Sequence, residues 1–280
     1  MTTQDYSQKS YDIWQEMADG WDRERTWLWN SSRHIGEWLV DALDPQPGQT
    51  ILELAAGTGE TGFGVAARIE PKGHLISTDF SPNMVETARK ESNRLRLKNV
   101  EHRVLDAQKM NLTDDSIDGV LCRWGYMLMA DPGVAFSETR RVLRPQGKLA
   151  FSVWGDPVKN PWVTVPARAI SEHTGVPPPP PGTPGVFAMA DPERTRSLLA
   201  DAELKLVQMD DIEMTWHFAD FDAFWRFLIT MAGAIALTIV GLPESEQAQI
   251  RRKIEEASKP FKTSRGYEFL GTSQNTLAVA

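Results

Sequence analysis

An apolar run that ends in a glycine-rich turn constrains the fold of this chain more than any other feature. Residues 51–62 read ILELAAGTGETG, and a second apolar run, His74–Asp79, ends in an acid. Because glycine lacks a Cβ atom, such a turn lets the backbone approach a ligand closely. A carboxylate at the tip of the next strand can accept hydrogen bonds from both hydroxyls of a ribose. The pattern therefore predicts a strand, a turn and a helix that bind a nucleotide-like cofactor.

The glycines alone are compatible with more than one cofactor. Gly57-x-Gly59-x-x-Gly62, with an acid about 20 residues later, also fits the dinucleotide-binding fingerprint. Glu53, however, lies within the preceding strand, where a dinucleotide fold normally has an apolar residue. A buried carboxylate needs a partner, and a ligand ammonium, reached directly or through water, would be one. An N-terminal helix cap or a salt bridge is the structural alternative for Glu53.

Later segments narrow the choice of cofactor. Asp106 and Ala107 end the run Val100–Leu105, where the carboxylate would accept a hydrogen bond from an adenine amino group or serve only as a loop cap. Residues 140–147 read RRVLRPQG, which predicts a helix that its proline stops and its glycine turns. The strand Lys148–Val153 follows directly.

With these segments in this order, the chain resembles the class I S-adenosylmethionine-dependent methyltransferases over residues 45–155. It is similar to the subgroup typified by the methyltransferases of ubiquinone and menaquinone biosynthesis. The resemblance is carried by a glycine motif, an acidic loop, an adenine loop and a motif after the fourth strand. In this sequence they are Glu53-x-Ala55-x-Gly57-x-Gly59, Asp79-Phe80-Ser81-Pro82-Asn83-Met84, Asp106-Ala107 and Arg141-Val142-Leu143-Arg144-Pro145-Gln146-Gly147. Ala55 and Gln146 replace glycines that are common in the family, and Ala55 adds a methyl group near the methionine end of the cofactor.

The resemblance implies roles for residues at the methionine end of S-adenosylmethionine. Glu53 would help to organise that end, and Ala55, Gly57 and Gly59 would present backbone to it. Arg123, which ends the strand Asp118–Arg123, stands where the family contacts the cofactor through main chain.

At the nucleoside end, the resemblance implies that Asp79 holds the ribose. Phe80 and Met84 would pack on the adenine, although plain core packing is an equal alternative for both side chains. Asp106 would accept a hydrogen bond from the exocyclic amine, and Ala107 would offer its backbone N–H to the ring.

The predicted fold is α/β, with a Rossmann-like, seven-stranded, mostly parallel sheet, helices on both faces and a helical cap. Residues 1–44 are helical in pattern and rich in aromatic side chains, and residues 45–155 form the cofactor-binding core. Residues 156–280 complete the sheet with the strands Leu204–Phe218 and Tyr267–Ala280, and carry cap insertions at 156–190 and 220–265.

Composition excludes several classes of partner and environment. The net charge of −8 and the pI near 5.2 argue against a nucleic-acid partner, which usually requires a basic surface. The single cysteine, Cys122, rules out an internal disulfide and indicates a reducing compartment. The chain begins with polar residues and no signal architecture, so we expect a cytoplasmic protein.

The apolar run Phe227–Leu242 is shorter than the ~20 residues of a membrane helix and predicts a buried cap or dimer helix. We expect a monomer or a homodimer.

In the resembling family, the N-terminal helices and the insertions form the lid over the acceptor. The aromatic residues of these segments either fill space or stack on a planar acceptor, and their excess favours a small apolar or aromatic molecule. We therefore predict that Trp21, Trp29 and Trp225 line the acceptor pocket.

Methyl transfer needs positioning, exclusion of water and, for weakly acidic acceptors, removal of a proton. The sequence contains no clear base, and His34 and His173, in the cap segments, are only weak candidates. There is no acidic cluster of the catechol-methylating type, so a metal is not expected. The segment after the fourth strand reads RWGY from residue 123, unlike the motif of enzymes that methylate nucleic-acid amino groups.

Other functions remain as alternatives. One is a protein that binds S-adenosylmethionine without transferring its methyl group, as a cyclase or a regulator, because one fold hosts several functions. Another is an NAD-dependent oxidoreductase, in which Glu53, Asp106 and residues 141–147 would have no role.

Overall fold

The computed structural model describes residues 3–280, which form a layered α/β structure. The helices are α1 Thr3–Arg23, α2 Arg25–Leu43, α3 Glu60–Arg68, α4 Pro82–Arg94, α5 Pro132–Val142, α6 Pro161–Thr174, α7 Pro192–Asp201, α8 Phe221–Thr230, α9 Ala234–Val240 and α10 Glu244–Ser258. The strands are β1 Thr50–Glu53, β2 His74–Asp79, β3 Val100–Val104, β4 Ile117–Arg123, β5 Leu143–Trp154, β6 Lys205–Phe218, β7 Lys262–Thr263 and β8 Gly266–Val279.

Within residues 3–280, the strands form one eight-stranded sheet in the order β3-β2-β1-β4-β5-β8-β6, and the two-residue β7 pairs with β8. Strands β1 to β5 are mutually parallel, whereas β8 runs antiparallel to β5 and β6. The predicted seven-stranded, mostly parallel α/β fold is confirmed, with β7 as a short addition. The strand order reverses between β1 and β4, and sheets of this type bind ligands beyond the carboxyl ends of the strands at such a point.

Alternating side chains of the central strands face opposite layers of helix. Ile51, Leu121 and Ala150 pack with α2 and α3 on one face of the sheet. Val120 and Phe151, each one position away from these residues, belong to the larger cluster on the other face. Both faces are thus covered, which explains why the strands read as nearly continuous apolar runs.

The N-terminal helices have different places in the fold. Helix α1 packs on α4 and α8, over the carboxyl edge of the sheet, whereas α2 packs directly on β4, β5 and β8. Gly20 allows the close approach of α1 to α8, because a Cβ atom built there would lie 2.3 Å from the carbonyl oxygen of Thr230. The predicted cap segment therefore contains one covering helix and one helix of the sheet layer.

Some local predictions were wrong. Helix α5 ends at Val142, before Pro145, because β5 already begins at Leu143. The turn within this strand falls on Gln146, whose φ is 69°, and not on Gly147. Gly147 instead permits close packing, since an added Cβ atom would lie 2.8 Å from the carbonyl oxygen of Arg144.

The apolar run Phe227–Leu242 is not one helix. It is divided between α8 and α9, which meet at an angle of 99° near Gly233, a residue with φ of 55°. In the part of the chain that the structure describes, no single helix is both long and apolar enough to cross a bilayer, although this bent pair passes the same test of length and composition when taken together.

The contact at Gly20 predicts a test of how α1 is held. Gly20→Ala places a methyl group against the Thr230 carbonyl, and we expect the free energy of unfolding to fall by about 1–3 kcal/mol. Gly64→Ala, on the exposed side of α3, is the matched control, because its Cβ atom would meet only Val40 Cγ2 at 3.9 Å. We expect this control to gain about 0.5–1 kcal/mol from helix propensity. The measurement is urea unfolding. An equal gain in the free energy of unfolding for both variants would show that α1 does not depend on this contact.

Candidate functional site

A cavity that is partly open to solvent lies beyond the carboxyl ends of β1, β2 and β4, under helix α1, and its empty space with the open part included is about 980 Å³. Its lining combines the turns after these strands, residues of α1, and the segment after β4. The lining residues are Tyr6, Ser7, Ser10, Trp14, Trp21, Glu53, Ala55, Ala56, Gly57, Thr61, Asp79, Phe80, Met84, Leu105, Asp106, Ala107, Gln108, Arg123, Trp124, Gly125, Leu128, Met129 and Ala130. All the residues predicted from the sequence to contact a cofactor are among them, except Gly59.

The turn after β1 has the conformation that glycine favours, even at its alanine. Ala55 has φ of 49° and Gly57 has φ of 56°, both in the left-handed region. The methyl group of Ala55 is accommodated by Gly125, where an added Cβ atom would lie only 2.7 Å from Ala55 Cβ. The replacement of the expected glycine at position 55 therefore leaves the turn intact. Gly59 also has a positive φ, of 93°, and forms the N-cap of α3 outside the cavity lining.

Glu53 is buried at the junction of β1 and α3, with 2% of its surface exposed. Its Oε1 atom accepts the backbone N–H of Gly62 at 2.8 Å, and its Oε2 atom accepts the hydroxyl of Ser77 at 3.1 Å. Burial raises the pKa of this carboxyl to about 8, because neutral donors compensate only in part for lost hydration. The side chain thus holds the first turn of α3, as in the capping alternative, and also lines the cavity.

Gly62 is required for this arrangement. A Cβ atom built at this position would lie 2.1 Å from Glu53 Oε2, so any larger residue would displace the carboxylate. The last glycine of the motif therefore serves the packing of α3 on β1.

Asp79 links the turn after β1 to the turn after β2. Its Oδ2 atom accepts the N–H of Gly57 at 3.0 Å, and its Oδ1 atom accepts the N–H of Ser81 at 2.9 Å. Burial raises the pKa of this carboxyl to about 6. Each carboxylate oxygen has a further lone pair that can accept from a ligand hydroxyl.

The opposite end of the cavity is bordered by the residues predicted to contact adenine. Phe80 packs edge-on against Tyr11, with ring centroids 6.0 Å apart, and Met84 is buried against α1. Asp106 is exposed, and its Oδ1 atom accepts the backbone N–H of Gln108 at 2.9 Å, which is a loop cap. Ala107 is buried beside it. These residues therefore have structural contacts and border the cavity as well.

Helix α1 covers the cavity. Tyr6 donates its hydroxyl to the carbonyl oxygen of Leu128 at 3.1 Å. Trp21 donates its indole N–H to the carbonyl oxygen of Met231 at 3.2 Å. Trp14 packs edge-on against Trp21. Sequence reasoning did not assign Tyr6, Ser10 and Trp14 to the site. Their separation by four residues each, which places them on one face of a helix, was the available signal.

Two of the three tryptophans predicted to bind the acceptor do not line the cavity. Trp21 does, but Trp29 packs on Gly36 within α2, and Trp225, which belongs to α8, packs against the core. Their aromatic character fits packing as well as it fits binding, and composition alone does not give the direction of a side chain.

The histidines predicted as weak catalytic candidates also lie outside the cavity lining. His34 is exposed on α2, with Nε2 2.9 Å from the carbonyl oxygen of Glu213 on β6. His173 lies at the end of α6, with Nε2 3.7 Å from Glu246 Oε2. In the described range 3–280, no group of three or more His, Cys, Asp or Glu side chains is arranged to hold a metal ion.

Comparison with known proteins agrees with this geometry. Residues 45–162 match the family described as methyltransferase domain. A demethylmenaquinone methyltransferase from Clavibacter sepedonicus is 31% identical over 151 residues, which cover 52% of this chain and 58% of that protein. An arsenite methyltransferase from Halobacterium salinarum is 34% identical over 106 residues, which cover 38% of this chain and 27% of that protein. The chain thus spans less than two thirds of the length of these relatives.

Among solved structures, the YcgJ protein from Bacillus subtilis has the same fold. The two superpose with a TM-score of 0.60 at 17% identity, over 88% of this chain and 98% of that one. Residues 45–162 thus form a methyltransferase domain, and its motifs are those of the class I S-adenosylmethionine-dependent enzymes. This domain is related to the quinone methyltransferases, as the sequence motifs predicted.

The raised pKa of Glu53 predicts how the stability of this methyltransferase domain changes with pH. The carboxyl ionises at about 8 when folded and at 4.5 when unfolded, so between these values the folded state holds the extra proton. Stability from this group is therefore present at low pH and is lost as the pH rises toward 8. Asp79 acts in the same direction up to about pH 6.

We expect the free energy of unfolding to fall between pH 6 and pH 8, where Glu53 dominates, and Glu53→Gln to reduce this fall. The difference between the two proteins should approach about 1.4 kcal/mol per pH unit at most. Urea unfolding at several pH values measures it. Parallel pH curves for the two proteins would contradict the assignment of this titration to Glu53.

Proposed function

We propose that the chain transfers a methyl group from S-adenosylmethionine to a small acceptor that is largely apolar or aromatic. The observation that carries this proposal is that one cavity contains both the motif residues and a set of aromatic and apolar side chains. These side chains are Trp14, Trp21, Trp124, Leu128 and Met129. A small-molecule site is expected to be concave and mostly apolar, with a few polar groups that orient the ligand.

The cofactor is proposed to lie along the turns after β1, β2 and β3. Asp79 would accept from the ribose hydroxyls with the lone pairs that its backbone contacts leave free, and Phe80 and Met84 would flank the adenine. Asp106 would accept from the adenine amino group, and the backbone N–H of Ala107 would donate to the ring. Support for this arrangement comes from the shared cavity and from the motif positions.

The acceptor is proposed to bind under α1, with its nucleophilic atom facing the methionine end of the cofactor. The roof would orient the acceptor and keep water from the methyl group, which are the main demands of an in-line displacement. Tyr6 is the titratable side chain that α1 contributes to the wall, and burial raises its pKa to about 12. Its hydroxyl is therefore a poor acid and, as it stays protonated, not a base near neutral pH. An acceptor that is itself acidic, such as a phenol or an enol, suits this site.

Cofactor binding is tested with S-adenosylhomocysteine, which should raise the midpoint of thermal unfolding. Asp79→Asn should lose most of that gain, because charge-assisted hydrogen bonds to the ribose contribute about 1.5–3 kcal/mol. Asp118→Asn is the matched control, since Asp118 also accepts a backbone N–H, from Thr50 at 2.8 Å, but lies at the opposite edge of the sheet. If calorimetry shows that S-adenosylhomocysteine raises the midpoint of unfolding equally for wild type and Asp79→Asn, Asp79 does not bind the cofactor.

Acceptor choice is tested with methyl-labelled S-adenosylmethionine and two panels of acceptors, one of phenols and hydroquinones and one of sugars and amino acids. We expect transfer to members of the first panel. Trp21→Ala should reduce this transfer while keeping S-adenosylhomocysteine affinity within about tenfold, roughly 1.4 kcal/mol. Trp225→Ala, outside the cavity, should leave both unchanged. Cofactor binding with no transfer to any panel would favour the alternative of a binding protein that does not methylate.

A further inference from the structure

Arg25 lies at the corner between α1 and α2 and is surrounded by acidic side chains. Its side chain is only 11% exposed, and its guanidinium donates to Asp22 Oδ1 at 2.7 Å. Its Nη1 atom lies 3.1 Å from Glu91 Oε2, and its Nε atom lies 3.5 Å from Glu60 Oε1. Three carboxylates, on α1, α3 and α4, thus share one largely buried cation.

The ion pair between Arg25 and Glu60 contains no hydrogen bond. Among residues 3–280, the buried Oε1 atom of Glu60 accepts no hydrogen bond, and the buried Nε atom of Arg25 donates none. The other carboxylate oxygen of Glu60 accepts from the hydroxyl of Thr58 at 2.5 Å. Charge attraction therefore holds Oε1 near Arg25, without the directional constraint that a hydrogen bond adds. Glu60 could turn if this cation were removed.

A second cation lies close to Glu60, in the wall of the cavity. Arg123 lines the cavity, whereas Glu60 is not among the lining residues. Burial lowers the pKa of Arg123, and the negative charge of Glu60 opposes this shift more strongly than that of Glu53 does. Arg123 donates to the hydroxyl of Ser32 at 3.0 Å, and within the described range its guanidinium forms no ion pair. Glu60 thus has one cation beside it outside the cavity and another in the cavity wall.

We propose that Arg25 is a positioning residue that holds the carboxylate of Glu60 outside the cavity and away from Arg123. Without Arg25, Glu60 would keep a largely buried charge without a counterion, which is strongly unfavourable. Turning toward Arg123 would restore a counterion and place a carboxylate where the ligand binds. Arg25 itself does not line the cavity and acts only through Glu60. This inference rests on the S-adenosylmethionine cofactor and is independent of the acceptor.

A purely structural role for Arg25 makes a different prediction. Arg25 also lies 3.4 Å from the carbonyl oxygen of Thr87, so it joins the start of α2 to α4. If this link were its only role, removal of Arg25 would leave Asp22 and Glu91 without their cation whatever residue stands at position 60. Neutralising Glu60 would then restore nothing. The two roles are therefore separated by a variant in which both side chains are changed.

The experiment is titration calorimetry of the full chain with S-adenosylhomocysteine. Arg25→Met should weaken binding by roughly tenfold to a hundredfold, because the displaced carboxylate competes with the ligand. Glu60→Gln alone should bind within about threefold of wild type, and so should the double variant with both substitutions. Arg25→Lys, which keeps the charge, should retain most of the affinity.

Arg94→Met is the matched control. Arg94 is exposed and donates to both carboxylate oxygens of Glu91, so its removal disturbs the same acidic cluster without removing the cation beside Glu60. Affinity for S-adenosylhomocysteine should stay at the wild-type value.

The double variant decides the outcome even if Arg25→Met alone does not fold. Binding by the double variant within about threefold of wild type would support the inference, whereas weak binding or failure to fold would overturn it. Failure of wild type to bind S-adenosylhomocysteine would instead overturn the proposed function. Urea unfolding of the same four proteins would then still test the contact, since strictly additive effects of the two substitutions on the free energy of unfolding would overturn the inference.

Discussion

The site depends on the hydrogen bonds that join the buried carboxylate of Glu53 to α3 and to β2. The bond to the Gly62 N–H holds the first turn of α3, and the bond to the Ser77 hydroxyl joins the side chain to the neighbouring strand β2. A carboxylate can reach both partners only because position 62 has no side chain. The glycine turn between β1 and α3 is then held at both of its ends. Asp79 has a similar role, because it accepts one N–H group from the turn after β1 and one from the turn after β2.

Helix α1 connects this polar floor to the roof of the cavity. The Oε1 atom of Gln15 accepts from the Ser81 hydroxyl at 2.5 Å and from the Asn83 N–H at 2.9 Å. Ser81 also donates its own N–H to Asp79. Ser81 therefore connects Asp79 directly to Gln15 of α1.

The sequence was informative where the site is local and uninformative where it is assembled over long distances. The turns after β1 and β2 follow from short segments whose glycines and acids have direct backbone partners, so their positions could be predicted. The membership of Tyr6 and Trp14 in the cavity depends on how α1 packs on α4 and α8, which no short motif encodes. For Trp29 and Trp225, aromatic richness was correctly noticed, but it does not distinguish a side chain that packs on Gly36 or the core from one that faces a ligand.

Long-range contacts, which short segments do not reveal, also explain why the end of α5 was predicted too late in the chain. Pro145 and Gly147 are strong helix-ending residues, yet the chain left the helix earlier because Leu143 already pairs with Ile117 on β4. Long-range strand pairing contributes more than local propensity at such a boundary. Gln146 accepts the strained left-handed conformation, since its backbone N–H is held by the carbonyl oxygen of Ala280 at 3.1 Å. A tertiary contact thus selects a conformation that the residue alone would avoid.

Buried ionisable side chains affect both ligand binding and the stability of the chain. Glu53, Asp79 and Arg123 all lie where burial disfavours their ionised forms, and a ligand-free core of the same size would be more stable with apolar residues there. Functional sites commonly break the rules of stable packing in this way. The cost falls on the empty protein, whereas a ligand of complementary charge offsets it on binding. Binding and stability are therefore coupled at these three side chains, and the pH at which the empty site is least stable is the pH at which Glu53 carries its charge.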